Sequence, residues 1–248
     1  MLTEIHAKCG SLCEPAREGK LRCPLLVRAT SEDVITGEIV RALRSLNPRY
    51  WLADLLNRGL GAPRFHRQVY RRLRIEPWVN HLPYPKDLLP RTEGATQVDL
   101  EIHWENPPTT VFIEAKYQSK LSGATTHGPG KSQYPTDQLI RNIRVGLYHC
   151  GYFVRKHFFQ PAPRDLAVLV MAPDSGNPLV AKYRQLDKIL EFIPHSDQLV
   201  NLPHGPFVGE IGYNDLQAVL RRNLRFMARS ERAVVEALDQ YLVFKKGL

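Results

Sequence analysis

Two neighbouring runs of sequence are the most informative about the fold: Gln97-Val98-Asp99-Leu100-Glu101-Ile102-His103-Trp104 and, after a short break, Val111-Phe112-Ile113-Glu114-Ala115-Lys116-Tyr117. Apolar and polar residues alternate in the first run, which is the period of a strand with one buried face. The second run is rich in β-branched and aromatic residues and ends in charge. The break contains Pro107 and Pro108, and proline has no N–H to donate to a strand ladder. The pattern therefore predicts a β-hairpin.

The register of this hairpin decides which polar residues meet. A turn centred between the two prolines pairs Asp99 with Lys116 and Glu101 with Glu114, whereas a register shifted by two residues pairs Asp99 with Glu114. In both registers these side chains point to one face, because side chains alternate along a strand. We therefore expect acidic groups and a lysine to converge on one face of a sheet whose other face is apolar.

This cluster of charges indicates a site that binds a divalent cation. Like charges opposed on a sheet are destabilising, and a hard cation such as Mg²⁺ prefers the oxygen ligands that Asp99 and Glu114 offer. Such a cation can polarise a phosphoryl oxygen and activate water, and Lys116 would stabilise the negative charge that develops at phosphorus. The alternative is a charged, solvated face of an edge hairpin.

The residues Asp99, Glu114 and Lys116 resemble the signature of the PD-(D/E)XK nuclease superfamily, in which an acid on one strand is followed by acid-x-lysine on the next. The resemblance implies a restriction-endonuclease-like fold: an α/β domain with an αβββαβ core and a mixed central sheet flanked by helices. It extends over about residues 30–172. Val98 stands where the superfamily loosely keeps a proline. Asn142 follows Gln138 by four residues where the RecB-like branch has a tyrosine, so that branch is not supported.

The resemblance also implies roles for individual residues. Asp99, Glu114 and the backbone carbonyl of Ala115 would hold Mg²⁺ or Mn²⁺, and Lys116 would position the attacking water or stabilise the developing charge. Gln138, in the first turn of the helix that follows the Glu-x-Lys strand, is expected to turn toward the site.

The first core helix of the superfamily often contributes one more acid near the metal. Glu38 is the first candidate for this catalytic and metal-binding role, because it lies in the middle of a helix among apolar neighbours. Glu32 is the second candidate, since its place in the first turn is already explained by the helix dipole. For both acids, a helix terminus or a solvent-facing position is the alternative.

Apolar periodicity and turn residues predict the other elements. Residues 1–29 are expected to form an arm, and residues 30–248 a single domain whose part beyond about residue 173 decorates the core. The predicted strands, besides the hairpin, run from Gln68 to Trp78, from Leu166 to Pro173 (buried) and from Val208 to Tyr213. The first predicted helix opens at Thr30 or Ser31, and others cover 50–63, Asp137 to Tyr148 and Val180 to Phe192. A further helix opens at Tyr213 or Asn214 and runs through Leu220, and the last runs from about Glu231 to Phe244.

The charge of the chain suggests a polyanionic partner. It has 34 Lys and Arg against 25 Asp and Glu, and contacts of such residues with phosphates dominate nucleic-acid affinity. A solvated basic surface is the alternative. The residues that we expect to contact nucleic acid are Arg71, Lys120, Lys131, Arg141 and Arg144.

Cysteine usage and hydropathy predict a soluble cytoplasmic protein. Cys9, Cys13 and Cys23 lack the Cys-x-x-Cys spacing of a zinc knuckle, so free thiols are expected and no zinc site is predicted. No run is long and apolar enough to span a bilayer, and no apolar signal core is present near residue 1. We therefore expect no membrane association.

These observations together predict a Mg²⁺-dependent endonuclease that hydrolyses phosphodiester bonds, in DNA rather than RNA. A compact nuclease domain without motor or methylase motifs suits a restriction or phage-defence effector, acting as a homodimer or with a partner protein. One alternative is a catalytically silent nucleic-acid-binding module. Another is a structural subunit whose basic runs are protein interfaces.

Overall fold

The computed structural model describes residues 32–83, 89, 94–117, 121, 137–154 and 163–246. They form an α/β fold with a five-stranded mixed sheet flanked by helices. The strands are β1 (Arg71–His81), β2 (Thr96–Glu105), β3 (Thr109–Ala115), β4 (Asp165–Ala172) and β5 (Val208–Gly212). The α-helices are α1 (Glu32–Ser45), α2 (Leu52–Leu60), α3 (Gln138–His149), α4 (Pro178–Tyr183), α5 (Leu186–Phe192), α6 (Tyr213–Asn223) and α7 (Arg229–Lys246).

The strands lie side by side in chain order, with β3 in the centre. β2 is antiparallel to both β1 and β3, so the predicted hairpin is confirmed. β4 and β5 continue the sheet in parallel with β3. Every residue of β3 is buried, as expected for a central strand covered on both faces.

The hairpin has the second of the two predicted registers. Leu100 lies opposite Ile113 and Glu101 lies opposite Phe112. The pairing of Glu101 with Glu114 is therefore wrong, because the turn is centred one residue earlier, between Asn106 and Pro107. The paired region ends at Leu100 and Ile113, and continuing this register would place Asp99 opposite Glu114.

Both faces of the sheet are covered by apolar layers, so the prediction of one charged and one apolar face is wrong. One layer packs α1, α2, α6 and α7 against residues such as Ile113 and Leu169. The other packs α3, α4 and α5 against residues such as Phe112 and Val168. The charged groups at the end of the hairpin thus lie at the edge of a buried core.

The C-terminal third is part of this core rather than a decoration on it. β5 pairs with β4, and Leu220 of α6 and Leu242 of α7 belong to the same apolar layer as α1 and α2. Glycines allow α2 to lie directly on β5, since a Cβ on Gly209 would be 2.2 Å from the backbone oxygen of Gly59.

Several boundaries differ from the predicted ones. β1 begins and ends three residues later than predicted, at Arg71 and His81. The single helix predicted from Val180 to Phe192 is two short helices, α4 and α5, because the backbone of Gln185 is extended between them. None of the helices in the described part of the chain has the length and apolar character needed to cross a membrane.

Candidate active site

Glu114, near the end of β3, is the centre of the candidate site. Its side chain is completely buried. Gln138 Nε2 and Lys116 Nζ contact its Oε1 atom, the lysine at 2.9 Å. Asn142 Nδ2 donates to Oε2 at 2.9 Å. Three side-chain donors therefore converge on one carboxylate at the edge of the core.

The first two turns of α3 supply two of these donors. Gln138 and Asn142 are four residues apart, so they lie on the same face of the helix. The helix begins with an N-cap, in which Asp137 Oδ1 accepts a hydrogen bond from Ile140 N at 3.0 Å. Tyr183 donates its O–H to the other oxygen of Asp137 at 2.6 Å. The cap and its tyrosine fix the position of the helix start over Glu114.

Asp99 lies beside Glu114 at a local irregularity of the sheet. Its Oδ2 accepts a hydrogen bond from Ala115 N at 3.0 Å. Val98 packs in the α3 layer while Leu100 packs in the opposite layer, so the side-chain alternation breaks at Asp99. On the neighbouring strand, Trp78 has a left-handed backbone with φ of 53°, which is strained for a residue other than glycine. Both strands thus bend where the aspartate enters the site.

The electrostatics of the site follow from burial and from the proximity of the two acids. Burial raises the pKa of Glu114, and the carboxylate of Asp99 raises it further, while Lys116 opposes both effects; the net value is about 8. Burial alone would lower the pKa of Lys116, but the neighbouring carboxylates raise it above its usual range. Lys116 therefore stays protonated, and the site favours positive charge near Glu114.

The acid that α1 contributes is Glu32 and not Glu38. Lys116 Nζ donates to Glu32 Oε1 at 3.0 Å, and Tyr117 N donates to Glu32 Oε2 at 3.2 Å. Glu38 forms an ion pair with Arg41 at 2.9 Å on its own helix. Among the described residues, no contact joins Glu38 to Asp99, Glu114 or Lys116. The reason is geometric, because Glu38 lies about 9 Å further along the helix axis.

Two tyrosines hold the backbone that follows β3. Tyr213, the first residue of α6, donates its O–H to the Lys116 carbonyl at 3.1 Å. The Tyr117 hydroxyl donates to the Lys245 carbonyl on α7, and the rings of Tyr117 and Tyr213 stack at 6.5 Å. The C-terminal helices therefore fix the lysine of the site.

The residues predicted to contact nucleic acid differ in how exposed they are to solvent. Arg71 is exposed at the start of β1, and Arg141 is partly exposed on α3. Arg144 is 4% exposed and is therefore buried, in contrast to the surface position that a contact with nucleic acid requires. Its helix is covered on nearly all sides, and residues 142–147 are all buried. Lys120 and Lys131 lie outside the described residues.

The donor set of the site fits Mg²⁺ or Mn²⁺. Among the residues that the structure describes, no group of three or more His, Cys, Asp or Glu side chains can hold a metal ion. Magnesium ordinarily keeps several waters and takes only one or two carboxylates, which Asp99 and Glu114 provide. Burial and repulsion by Asp99 raise the pKa of Glu114, and a cation between the two acids would relieve the repulsion. The Ala115 carbonyl remains a predicted third ligand.

Sequence reasoning missed Asn142 as a donor to Glu114 and ranked Glu32 behind Glu38. The spacing of four residues from Gln138 is a signal for Asn142, because it places both amides on one face of α3. No local pattern shows that the start of α1 lies against the end of β3, since that contact joins segments far apart in the chain.

No protein-family model matches the chain, and no curated protein or solved structure is detectably similar to it. A functional proposal for this chain accordingly rests on the geometry and chemistry of its own site.

Proposed function

We propose that the chain is a metal-dependent nuclease with a restriction-endonuclease-like fold that hydrolyses phosphodiester bonds in DNA. The observation that carries the proposal is the buried carboxylate of Glu114, which accepts from Lys116, Gln138 and Asn142 and lies beside Asp99. Phosphodiester hydrolysis with a divalent cation requires groups that hold the cation and a positive charge near the phosphate. The two acids on adjacent strands provide the first, and the protonated lysine two residues after the second acid provides the other.

Stability alone does not account for this cluster. Asp99, Glu114 and Glu32 bring three carboxylates to one lysine, an excess of two negative charges when all are ionised. Burying such groups costs free energy that an apolar arrangement would not, and strongly shifted pKa values cluster at functional sites. A divalent cation would balance this charge.

Each residue has a role that follows from its contacts. A bound Mg²⁺ or Mn²⁺ would polarise a phosphoryl oxygen and lower the pKa of a coordinated water. Asp99 and Glu114 would hold the ion, and Gln138 orients Glu114. The ammonium of Lys116 would donate to the attacking water or to the phosphate oxygen, and Glu32 keeps Lys116 in place.

The basic character of the chain supports a nucleic-acid substrate. The formal net charge is +9, and exposed arginines such as Arg71 lie on the edge strand β1. A restriction or phage-defence role, exercised as a homodimer or with a partner protein, is the biological setting that we propose for such an enzyme.

A cleavage assay tests the proposal. The purified full chain and a Lys116→Met variant are incubated with supercoiled plasmid, linear duplex, single-stranded DNA and RNA, each with Mg²⁺, Mn²⁺ or EDTA. Lys188→Met is the matched control, since Lys188 is a partly exposed lysine that forms an ion pair with Glu191 at 2.8 Å and contacts none of Asp99, Glu114 and Glu32. We expect metal-dependent cleavage by the wild type and the control, and a loss of about 100-fold or more in Lys116→Met.

Three results would contradict the proposal. Equal cleavage by Lys116→Met would place the chemistry elsewhere. Salt-sensitive DNA binding without cleavage of any substrate would favour a binding module. Neither cleavage nor binding would leave a structural subunit as the better explanation.

A further inference from the structure

A polar cavity lies on the α3 side of the sheet, at the end of α3 away from the candidate active site. It encloses about 420 Å³. The candidate active site adjoins the first turns of α3, whereas this cavity adjoins His149 in the last turn, about 10 Å further along the helix axis. None of Asp99, Glu114 and Lys116 lines it. We call it the histidine–arginine pocket, and the lining residues that matter here are Arg72, Arg74, His81, Glu101, His103 and His149.

The inner wall of the pocket is a network of two histidines around one carboxylate. Glu101 Oε2 lies 2.8 Å from His81 Nε2, and Glu101 Oε1 lies 3.5 Å from His103 Nδ1. Within the described residues, this group is not placed to hold a metal ion. The carboxylate instead orients the two imidazole rings, and the proposed nuclease chemistry uses none of them.

Aromatic rings form a second feature of the wall. The His81 ring centroid is 5.0 Å from that of Phe112 and 4.7 Å from that of His149. His149 is exposed to solvent. Planar bases stack on rings of this kind in nucleotide-binding proteins.

Two arginines at the mouth of the pocket are available for an anion. Arg72 and Arg74 are exposed on β1, and neither forms an ion pair with another described residue. A bulge between Arg71 and Arg74 shifts the register of β1, and Arg72 has a left-handed φ of 52°. Bulges often turn a side chain away from its regular direction next to a binding site.

A third arginine of the pocket, Arg164, already forms hydrogen bonds with other residues of the chain. Arg164 donates to Glu105 at 2.8 Å and to the Trp104 carbonyl at 2.9 Å. It therefore braces the end of the β2–β3 hairpin. The Glu105 carboxylate also attracts Arg72 electrostatically, but neither Arg72 nor Arg74 is held in an ion pair within the part of the chain that the structure describes.

We propose that the histidine–arginine pocket binds a nucleotide, with its phosphate on Arg72 and Arg74 and its base against the rings of His81 and His149. Guanidinium groups match phosphate oxygens in pairs, and the volume lies within the range of about 300–1,000 Å³ of small-molecule sites. The nucleotide comes either from free solution or from a nucleic-acid strand that also enters the active site. Only the second source rests on the proposed nuclease function.

Binding measured in EDTA tests the pocket without cleavage. The full chain is titrated calorimetrically with the four deoxynucleoside 5′-monophosphates and with inorganic phosphate, and by fluorescence anisotropy with a labelled single-stranded oligonucleotide. The test variant is the double substitution Arg72→Gln and Arg74→Gln. The matched control is Arg229→Gln with Arg232→Gln, which removes the same charge from exposed positions of α7.

We expect the test variant to weaken nucleotide binding by about tenfold or more, because hydrogen bonds to charged groups are lost, and the control to change it less than about twofold. His149→Ala should weaken the mononucleotides without weakening inorganic phosphate, and circular dichroism checks that each variant is folded. If the test variant binds mononucleotides more weakly, the pocket takes a nucleotide from free solution. If it weakens only the oligonucleotide, the pocket takes a nucleotide of a nucleic-acid strand.

The proposal is overturned if no probe binds the wild type, if the test and control variants bind alike, or if inorganic phosphate binds as tightly as the nucleotides. Such results would leave the nuclease proposal standing, because cleavage depends on Lys116 and Asp99 and is measured separately.

Discussion

Glu114 is a buried carboxylate that polar side chains support, in a position where most central strands carry an apolar residue. Burial and its acidic neighbour Asp99 raise its pKa to about 8 against the opposing effect of Lys116, so the group responds strongly to any positive charge placed beside it. A residue held in this way is suited to binding a cation and is costly as a structural element.

The position of Lys116 depends on a second acid, and the structure assigns this task to Glu32. Exchanging Glu32 for Gln removes the charge that holds Lys116 Nζ but keeps the length of the side chain. We expect Glu32→Gln to lower the cleavage rate roughly tenfold or more, as is common for residues that orient a metal site, and Glu38→Gln to lower it less. Initial rates on the preferred substrate measure both variants, and the opposite order would restore Glu38 as the α1 acid.

Part of this site could be predicted from the sequence. The spacing of Asp99, Glu114 and Lys116 on a hairpin predicts that they meet, because side-chain period and strand pairing are local rules. Glu32 could not be preferred over Glu38 in this way, since the packing of α1 against the end of β3 is not encoded in either segment alone.

Among the secondary-structure elements, α3 supplies two of the three hydrogen-bond donors to Glu114, namely Gln138 and Asn142. Asn142→Ala removes one donor to a carboxylate that is 0% exposed. We expect the free energy of unfolding to fall by about 2 kcal/mol, because a buried carboxyl oxygen loses a hydrogen-bond partner. Urea unfolding at neutral pH measures the loss, with the exposed Asn201→Ala as control. Equal stability of the two variants would mean that Glu114 does not depend on α3.

A different ion-pair cluster joins α2 to α6. Asp54 Oδ2 accepts from Arg67 at 2.6 Å and from Arg222 at 2.8 Å. Partial burial raises the pKa of Asp54, but the two arginines lower it by more, so that its net pKa lies below the usual 3.8. The ionised form is therefore favoured in the folded chain, and its contribution to stability is present above that value and lost as the pH falls through the folded pKa.

Because the pKa of Asp54 is lower in the folded chain, the stabilisation that this residue provides should depend on pH. Asp54→Asn should lower the free energy of unfolding by about 1 kcal/mol at pH 7, and the difference from wild type should shrink as the pH falls below 3.8 and through the lowered pKa of the folded state. Urea unfolding over a series of pH values from 7 downward checks it, with the exposed Asp197→Asn as control. A difference that persists unchanged in acid would show that the interaction is not ionic.

The elements themselves were predictable where their patterns are local. The hairpin, the buried strand β4 and the helices α1 and α3 follow from apolar spacing and cap residues. The break between α4 and α5 and the late start of β1 were missed, since both depend on contacts with other segments. The burial of Arg144 was missed for the same reason, because two arginines three residues apart look like a basic face until the neighbours of α3 are known.

On the scale of the whole molecule, the sheet separates two apolar layers and gathers polar chemistry at two places beside α3. The candidate active site lies at the first turns of that helix and the histidine–arginine pocket at its last turn. An excess of nine positive charges over the chain favours a polyanion that could reach both places, and such binding should weaken as salt is added.

In the proposed mechanism Asp99 and Glu114 hold the metal ion for phosphodiester hydrolysis, and the decisive measurement is the cleavage rate as a function of Mg²⁺ concentration. We would measure this rate under single-turnover conditions for the wild type and for Asp99→Asn. The wild-type rate should rise with Mg²⁺ and saturate, and the variant should be slower by about 100-fold or more at the same concentrations. A variant that cleaves at the wild-type rate, or a wild-type rate that is unchanged in EDTA, would contradict the account.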